Sequence, residues 1–136
     1  MDTDQMTDYH ELLATATSFL LIDWPSRDVP DTLARHGYRV ASADGPRDDE
    51  YNAYELADGE VRVRPLDAAP HMIDIVYAHR PLAELERIVE QARALNARAV
   101  WLQSGSPQAR EIVERAGLMY FDSPYLPDAI RGTAGL

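Results

Sequence analysis

Short apolar runs alternate with amphipathic stretches along the chain. Phe19-Leu20-Leu21-Ile22, Ile73-Asp74-Ile75-Val76-Tyr77, Val100-Trp101-Leu102 and Met119-Tyr120-Phe121 are each brief and nearly continuous in apolar character, and Tyr38-Arg39-Val40 opens a similar segment. Runs of that length predict strands covered on both faces, as in a parallel sheet. Between them the apolar positions recur at helical spacing: Val29 and Leu33, then Leu82, Leu85, Ile88, Val89, Ala92 and Leu95, then Ala109, Ile112, Val113 and Ala116.

The punctuation agrees with these elements. Ser26 or Asp28 can cap the first of these helices with Pro30 in its opening turn, and His36-Gly37 ends it. Pro81 starts the long second helix, Ser106-Pro107 opens the third with Gly117 at its close, and Pro127 begins a last short one. Thr7 is placed to cap a short leading helix through Tyr9, Leu12 and Leu13, after about six frayed residues. Tyr54-Glu55-Leu56 and Val61-Arg62-Val63 flank Ala57-Asp58-Gly59-Glu60, an alternation around Asp-Gly that predicts a β-hairpin. Strands and helices therefore alternate, with right-handed crossovers between parallel strands. The expected architecture is a Rossmann-like three-layer α/β domain with a mostly parallel sheet and helices on both faces. The 136 residues suit a single domain over 1–136.

Composition narrows the chemistry. The chain has no cysteine, which removes disulfides, thiolate metal sites and a thiol nucleophile. A net charge of -10 opposes general binding to a nucleic-acid backbone. No apolar run reaches the length of a membrane span, and the acidic start Met1-Asp2-Thr3-Asp4-Gln5 lacks the basic residues of a secretory signal, so a cytoplasmic location is expected. His10, His36 and His71 are not at metal-ligand spacing, and no metal is expected.

In open parallel sheets, ligands bind outside the carboxyl ends of the strands, where strand order reverses. The loops leaving those ends are Asp23 to Arg27, Ala43 to Arg47, Ala78 to Pro81, Gln103 to Ser106 and Asp122 to Tyr125. No glycine-rich phosphate fingerprint follows the first strand; Asp23 and Trp24 stand there, which argues against ordinary nicotinamide or flavin binding. Arg27 and Arg80 are the cations placed to meet phosphate, or else to pair with carboxylates of the acidic surface. His79 is either a ligand contact or general base, or an ordinary loop histidine. Gln103-Ser104-Gly105-Ser106 can hydrogen-bond a ligand or simply cap the next helix. Trp24, Tyr51, Tyr54 and Tyr125 can stack on an adenine or pack in the core.

Several segments in register resemble the CoA-binding-domain proteins of the small, single-domain bacterial kind, related to the CoA-binding domain of the succinyl-CoA synthetase α subunit. Ala97-Arg98-Ala99-Val100-Trp101-Leu102-Gln103-Ser104-Gly105 resembles that family's G-A-K-A-V-W-L-Q-x-G, with Asn96 where a helix-ending glycine is usual. Pro25-Ser26, Val29 and Leu33-Ala34-Arg35-His36-Gly37-Tyr38-Arg39-Val40 resemble its P-S-x-x-V-x-x-x-L-x-x-x-G-Y-x-V. Gly59-Glu60, Leu66, Pro70, Ile73-Asp74-Ile75-Val76, His79-Arg80-Pro81 and Ala116-Gly117-Leu118 follow in the same order. The resemblance implies coenzyme A lying over the strand ends, near Trp24, Pro25, Ser26, Arg27, Asp44, His79, Arg80, Gln103 and Gly105, with Asp44 close to the adenosine.

Three departures stand out. The loop after the first strand is shortened and lacks glycine, Asn-Pro after the second strand is replaced by Asp44-Gly45-Pro46, and the late D-R-C is Asp122-Ser123-Pro124. The first degenerates the phosphate loop and the second adds negative charge. The function expected is binding of coenzyme A, an acyl-CoA or a related adenine nucleotide without catalysis by the chain alone. The alternatives are a degenerate Rossmann domain used for protein contact or homodimerisation, and an enzyme on an acyl or nucleotide substrate using His79 or Asp23.

Overall fold

A computed structural model describes residues 2–43 and 50–134 of the chain. In order, the elements are α1 (Asp2–Thr15), β1 (Ser18–Ile22), α2 (Asp28–Arg35), β2 (Arg39–Ser42), β3 (Tyr51–Ala57), β4 (Glu60–Leu66) and β5 (Ile75–Ala78). A one-turn 3-10 helix, Leu82–Glu84, then leads into α3 (Leu85–Ala94), followed by β6 (Ala99–Leu102), α4 (Pro107–Arg115), β7 (Met119–Phe121) and α5 (Leu126–Ala134). The strands form a seven-stranded sheet in the order β4-β3-β2-β1-β5-β6-β7. The stretch β2-β1-β5-β6-β7 is parallel, and β3 and β4 continue it antiparallel. This is the α/β Rossmann-like fold that the sequence pattern predicts.

The period-2 geometry of the strands sorts the apolar runs onto two faces. Phe19 and Leu21 of β1, Ile75 and Tyr77 of β5, Ala99 and Trp101 of β6 and Phe121 of β7 join one core, closed by Leu12 and Leu13 of α1, Val29 and Leu33 of α2, and Leu126 and Ile130 of α5. Their alternates Leu20, Val76, Val100 and Tyr120 face the other core, closed by Leu85, Ile88, Val89 and Ala92 of α3 and Ala109 and Val113 of α4. Phe19, Leu20, Leu21, Ile75, Val76 and Tyr77 are all fully buried. Each such side chain contributes about 1.5–3 kcal/mol by leaving water, so β1 and β5 anchor the sheet.

Turn chemistry explains the connections. Asp58 and Gly59 both have positive φ, at 54° and 82°, as the two central residues of a type I′ hairpin turn require. Asn96 ends α3 with φ 59°, the left-handed conformation that a helix-ending glycine would otherwise supply. Ser106 caps α4 by accepting the Ala109 N–H at 3.0 Å.

Some boundaries differ from the sequence-based expectation. α1 starts at Asp2 rather than at a Thr7 cap, so it takes in residues expected to fray. At α2, Arg27 occupies the capping position without a side-chain bond, while the Ser26 hydroxyl accepts the Asp28 N–H at 3.3 Å. Asp28 instead accepts Thr32 and Arg131, tying α2 to α5. The helix expected from Pro81 first makes the 3-10 turn.

The hairpin leaves β4 at the sheet edge. A two-residue turn closes on a hydrogen-bonded pair, here Ala57 and Glu60, so Val61, Val63 and Pro65 direct their backbone groups away from β3. That edge is blunted. Pro65 has no N–H to offer, and Arg27 Nη2 donates to the Val61 carbonyl at 3.2 Å.

At the amino ends of β1 and β5, Asp74 Oδ2 accepts the Thr17 N–H at 2.7 Å and the Thr17 hydroxyl at 3.1 Å. Ser18 Oγ in turn accepts the Asp74 N–H at 3.1 Å. Burial would raise the Asp74 carboxyl, but the hydrogen bonds from Thr17 and Ser18 and the charge of Arg98 outweigh it and hold the group below the ordinary carboxylate value. A depressed folded-state value means a contribution present above the unfolded value and lost as pH falls through the folded one. Asp74→Ala is therefore expected to lower stability by about 1–3 kcal/mol at neutral pH. Urea unfolding of both proteins across pH should show that difference shrinking below the ordinary carboxylate range; a gap independent of pH would contradict the assignment.

Candidate functional site

β1 and β5 are neighbours, but the chain leaves β1 toward β2 on one side and β5 toward β6 on the other. Strand order thus reverses between them, and the loops Asp23–Arg27 and His79–Pro81 flank the crevice where parallel α/β sheets receive ligands. The loop Gln103–Ser106 after β6 borders the same end.

Two hollows open there. One, of about 230 Å³, has an apolar wall of Leu82, Leu85, Ile88, Leu102 and Ala109 and a polar rim of Arg80, Ser104, Gly105, Ser106 and Gln108. The other, of about 250 Å³, lies among His79, Arg80, Pro81 and Ser104. Arg80, Pro81 and Ser104 border both. Each hollow alone is small for a nucleotide-sized ligand, so such a molecule would lie across both.

Arg80 is the cation at the centre, and its guanidinium is engaged. Nε and Nη2 donate to Glu84 at 3.2 and 2.7 Å, and Nη1 donates to Asp23 Oδ2 at 3.2 Å. Hydrogen bonds from Arg80 hold the Glu84 carboxyl below its ordinary value. The Arg80–Glu84 pair is the usual i,i+4 neighbour contact, whereas Asp23 arrives from a loop 57 residues away. Asp23 has φ 63°, and its Oδ1 accepts the Trp24 N–H at 2.9 Å.

The Gln103–Ser106 loop is braced from behind. Tyr77, fully buried in β5, donates its hydroxyl to Gln103 Oε1 at 2.5 Å, which fixes the carboxamide by its oxygen and leaves the NH2 as its donor group. Burial drives the Tyr77 phenol well above its ordinary value, so it stays a donor. Tyr120 donates to Asp122 Oδ2 at 2.7 Å and accepts the Ser106 N–H at 3.1 Å. Burial and the Asp122 contact push the Tyr120 phenol up to about 12. Gly105 packs on that pair: a Cβ there would lie 2.0 Å from Asp122 Oδ2 and 2.1 Å from the Tyr120 hydroxyl. Glycine is required at this point by close approach rather than by backbone twist.

Of the residues expected at the site, Arg80 and Gly105 line the first hollow and His79 and Arg80 the second, with Gln103 in the adjoining loop. Pro25 and Ser26 are exposed on the β1 loop, where Ser26 Oγ lies 3.4 Å from the Tyr125 hydroxyl. Trp24 and Arg27 turn elsewhere. The Trp24 indole meets Tyr54 edge-on at 5.7 Å, and Arg27 lies 5.2 Å from the same ring centroid while pairing with Asp31 at 2.9 Å. Trp24 and Tyr54 therefore pack together, and Tyr51 contacts the core of α3. Asp44 lies outside the described residues.

Sequence reasoning missed Leu82 and Leu85 as lining residues and Glu84 as the partner of Arg80. The four-residue spacing of Arg80 and Glu84 was a usable signal for that pair.

The CoA binding domain family matches residues 22–123, a span that contains the loops after β1, β5 and β6. Among solved structures, the chain is similar to the crystal structure of Prb (PH1109 protein redesigned for binding), at TM-score 0.69 and 23% identity, covering 96% of this chain and 93% of that one. It is also similar to the structure of cell-free ID.343 from Thermus thermophilus, at TM-score 0.63 and 26% identity, covering 94% and 98%. No curated protein matches the chain.

Gly105→Ala is expected to displace the loop or break the Tyr120–Asp122 contact, at a cost of about 1–3 kcal/mol. A thermal melt should show a lower midpoint; an unchanged midpoint would mean that the loop accommodates the methyl group freely.

Proposed function

The chain belongs to the CoA binding domain family, and from that premise we propose that it binds coenzyme A or an acyl-CoA across the carboxyl ends of β1, β5 and β6, without catalysing a reaction by itself. The observation that carries this reading is the meeting of Arg80 and the Ser104–Ser106 loop around two adjoining hollows at the switch point, with the braced Gln103 amide at the start of that loop. Arg80 would meet phosphate with the planar fork of its guanidinium. The Gln103 NH2 would donate to a carbonyl of the pantetheine arm, and the wall of Leu82, Leu85 and Leu102 would take its apolar stretches. His79 borders the hollow that would face the phosphate, and Pro25 and Ser26 stand exposed on the β1 loop.

The alternatives have weaker support. An edge-to-edge homodimer through β4 meets the missing N–H of Pro65 and the Arg27 contact on Val61. For an enzyme, Asp23 is committed to Arg80, and among the described residues no hydrogen bond joins His79 to a nucleophile or an orienting group.

Isothermal titration with coenzyme A, acetyl-CoA and ADP tests the proposal. Binding of coenzyme A is expected, weakened about tenfold or more by Arg80→Ala and by a smaller factor by Gln103→Ala. Absence of heat and of any thermal shift with all three ligands at millimolar concentration would overturn it.

A further inference from the structure

Arg80 holds two carboxylates of different kinds. Glu84 sits one helical turn further along the same segment and is an ordinary surface partner. Asp23 is brought to Arg80 only by the pairing of β1 with β5, and it stands in the loop where a phosphate-binding turn would present its backbone. Its backbone lies at φ 63°, a conformation uncommon for residues other than glycine, asparagine and aspartate. Both of its oxygens are used: Oδ1 accepts the Trp24 N–H of the loop, and Oδ2 accepts Nη1 of Arg80. One backbone N–H and one guanidinium N–H are the kind of donor pair that a phosphate oxygen takes.

We infer that Asp23 is an internal stand-in for a ligand phosphate, so that an anionic ligand binds by displacing the Asp23 carboxylate from Arg80. This rests on the reading of the site as one for coenzyme A. The affinity of the site for phosphate is then an exchange of one anion for another rather than the filling of an empty place. Glu84 keeps Arg80 oriented while the exchange takes place. A ligand or fragment without phosphate escapes the competition. The site is thereby tuned against weakly held polyanions, since only a ligand with further contacts along the apolar wall offsets the loss of the Asp23 pair.

Asp23→Asn isolates the charge. Asparagine tolerates the left-handed backbone as aspartate does, and its amide oxygen can still accept the Trp24 N–H. Coenzyme A and pantetheine should be titrated into the unaltered protein, Asp23→Asn and Glu60→Gln, with a thermal melt of each to establish folding. Glu60→Gln makes the same change in net charge at the hairpin, away from the crevice. Asp23→Asn is expected to bind coenzyme A about three- to tenfold tighter, a range kept modest because the pair is partly exposed. Pantetheine affinity should not change, nor should coenzyme A affinity in Glu60→Gln. Equal coenzyme A affinity in Asp23→Asn and the unaltered protein would overturn the inference and leave the coenzyme A reading standing. An equal gain in Glu60→Gln would overturn it in favour of a general charge effect. No binding to any of the three proteins would bring down the underlying reading, and this inference with it.

Discussion

The parallel pairing of β1 with β5 is the constraint on which the rest of the molecule hangs. These strands are distant in sequence, lie side by side at the middle of the parallel sheet, and bury every side chain from Phe19 to Leu21 and from Ile75 to Ala78. Everything to one side follows β1 and everything to the other follows β5, so their junction creates the crevice. An aspartate closes each end of the pair: Asp74 binds Thr17 and Ser18 at the amino end, and Asp23 meets Arg80 at the carboxyl end. The hydrophobic core thus sets the alignment, and the polar ends lock it in register.

The crevice has an unusual charge balance for one expected to hold phosphates. The chain is strongly acidic, and its central arginine already answers to two carboxylates. What distinguishes the place from the general surface is the joining of that arginine to an apolar wall and to a loop braced by two buried tyrosines. Attraction between ions in so exposed a setting is modest. Contacts along the neutral arm of a ligand therefore have to supply much of the binding energy, and charge serves mainly to orient it.

Much of the architecture was legible in the sequence because it depends on local chemistry and on period. The four apolar runs became β1, β5, β6 and β7, and Asp58-Gly59 gave the hairpin its turn. Ser106 caps α4 as its position before Pro107 implies. The site was less legible, because its decisive contacts join residues far apart in the chain. Neither Asp23 nor Arg80 announces the other across a separation of 57 residues. Trp24 and Arg27 sit beside the crevice in sequence, yet Tyr54 draws them toward the hairpin, since an indole and a guanidinium gain more against that ring than in water. The leading helix was missed at its start because its first turn is too polar to show an apolar stripe.

Gly105 lends its empty volume to Asp122 and the Tyr120 hydroxyl, and so couples two stretches that are separate in the chain. Evolutionary drift at these positions is then not independent. A relative that carries a side chain at the place of Gly105 must have surrendered the acid or the phenol opposite it, or else re-routed the loop. The glycine of one motif and the aspartate of the next are two halves of a single steric bargain, whatever molecule the loop goes on to hold.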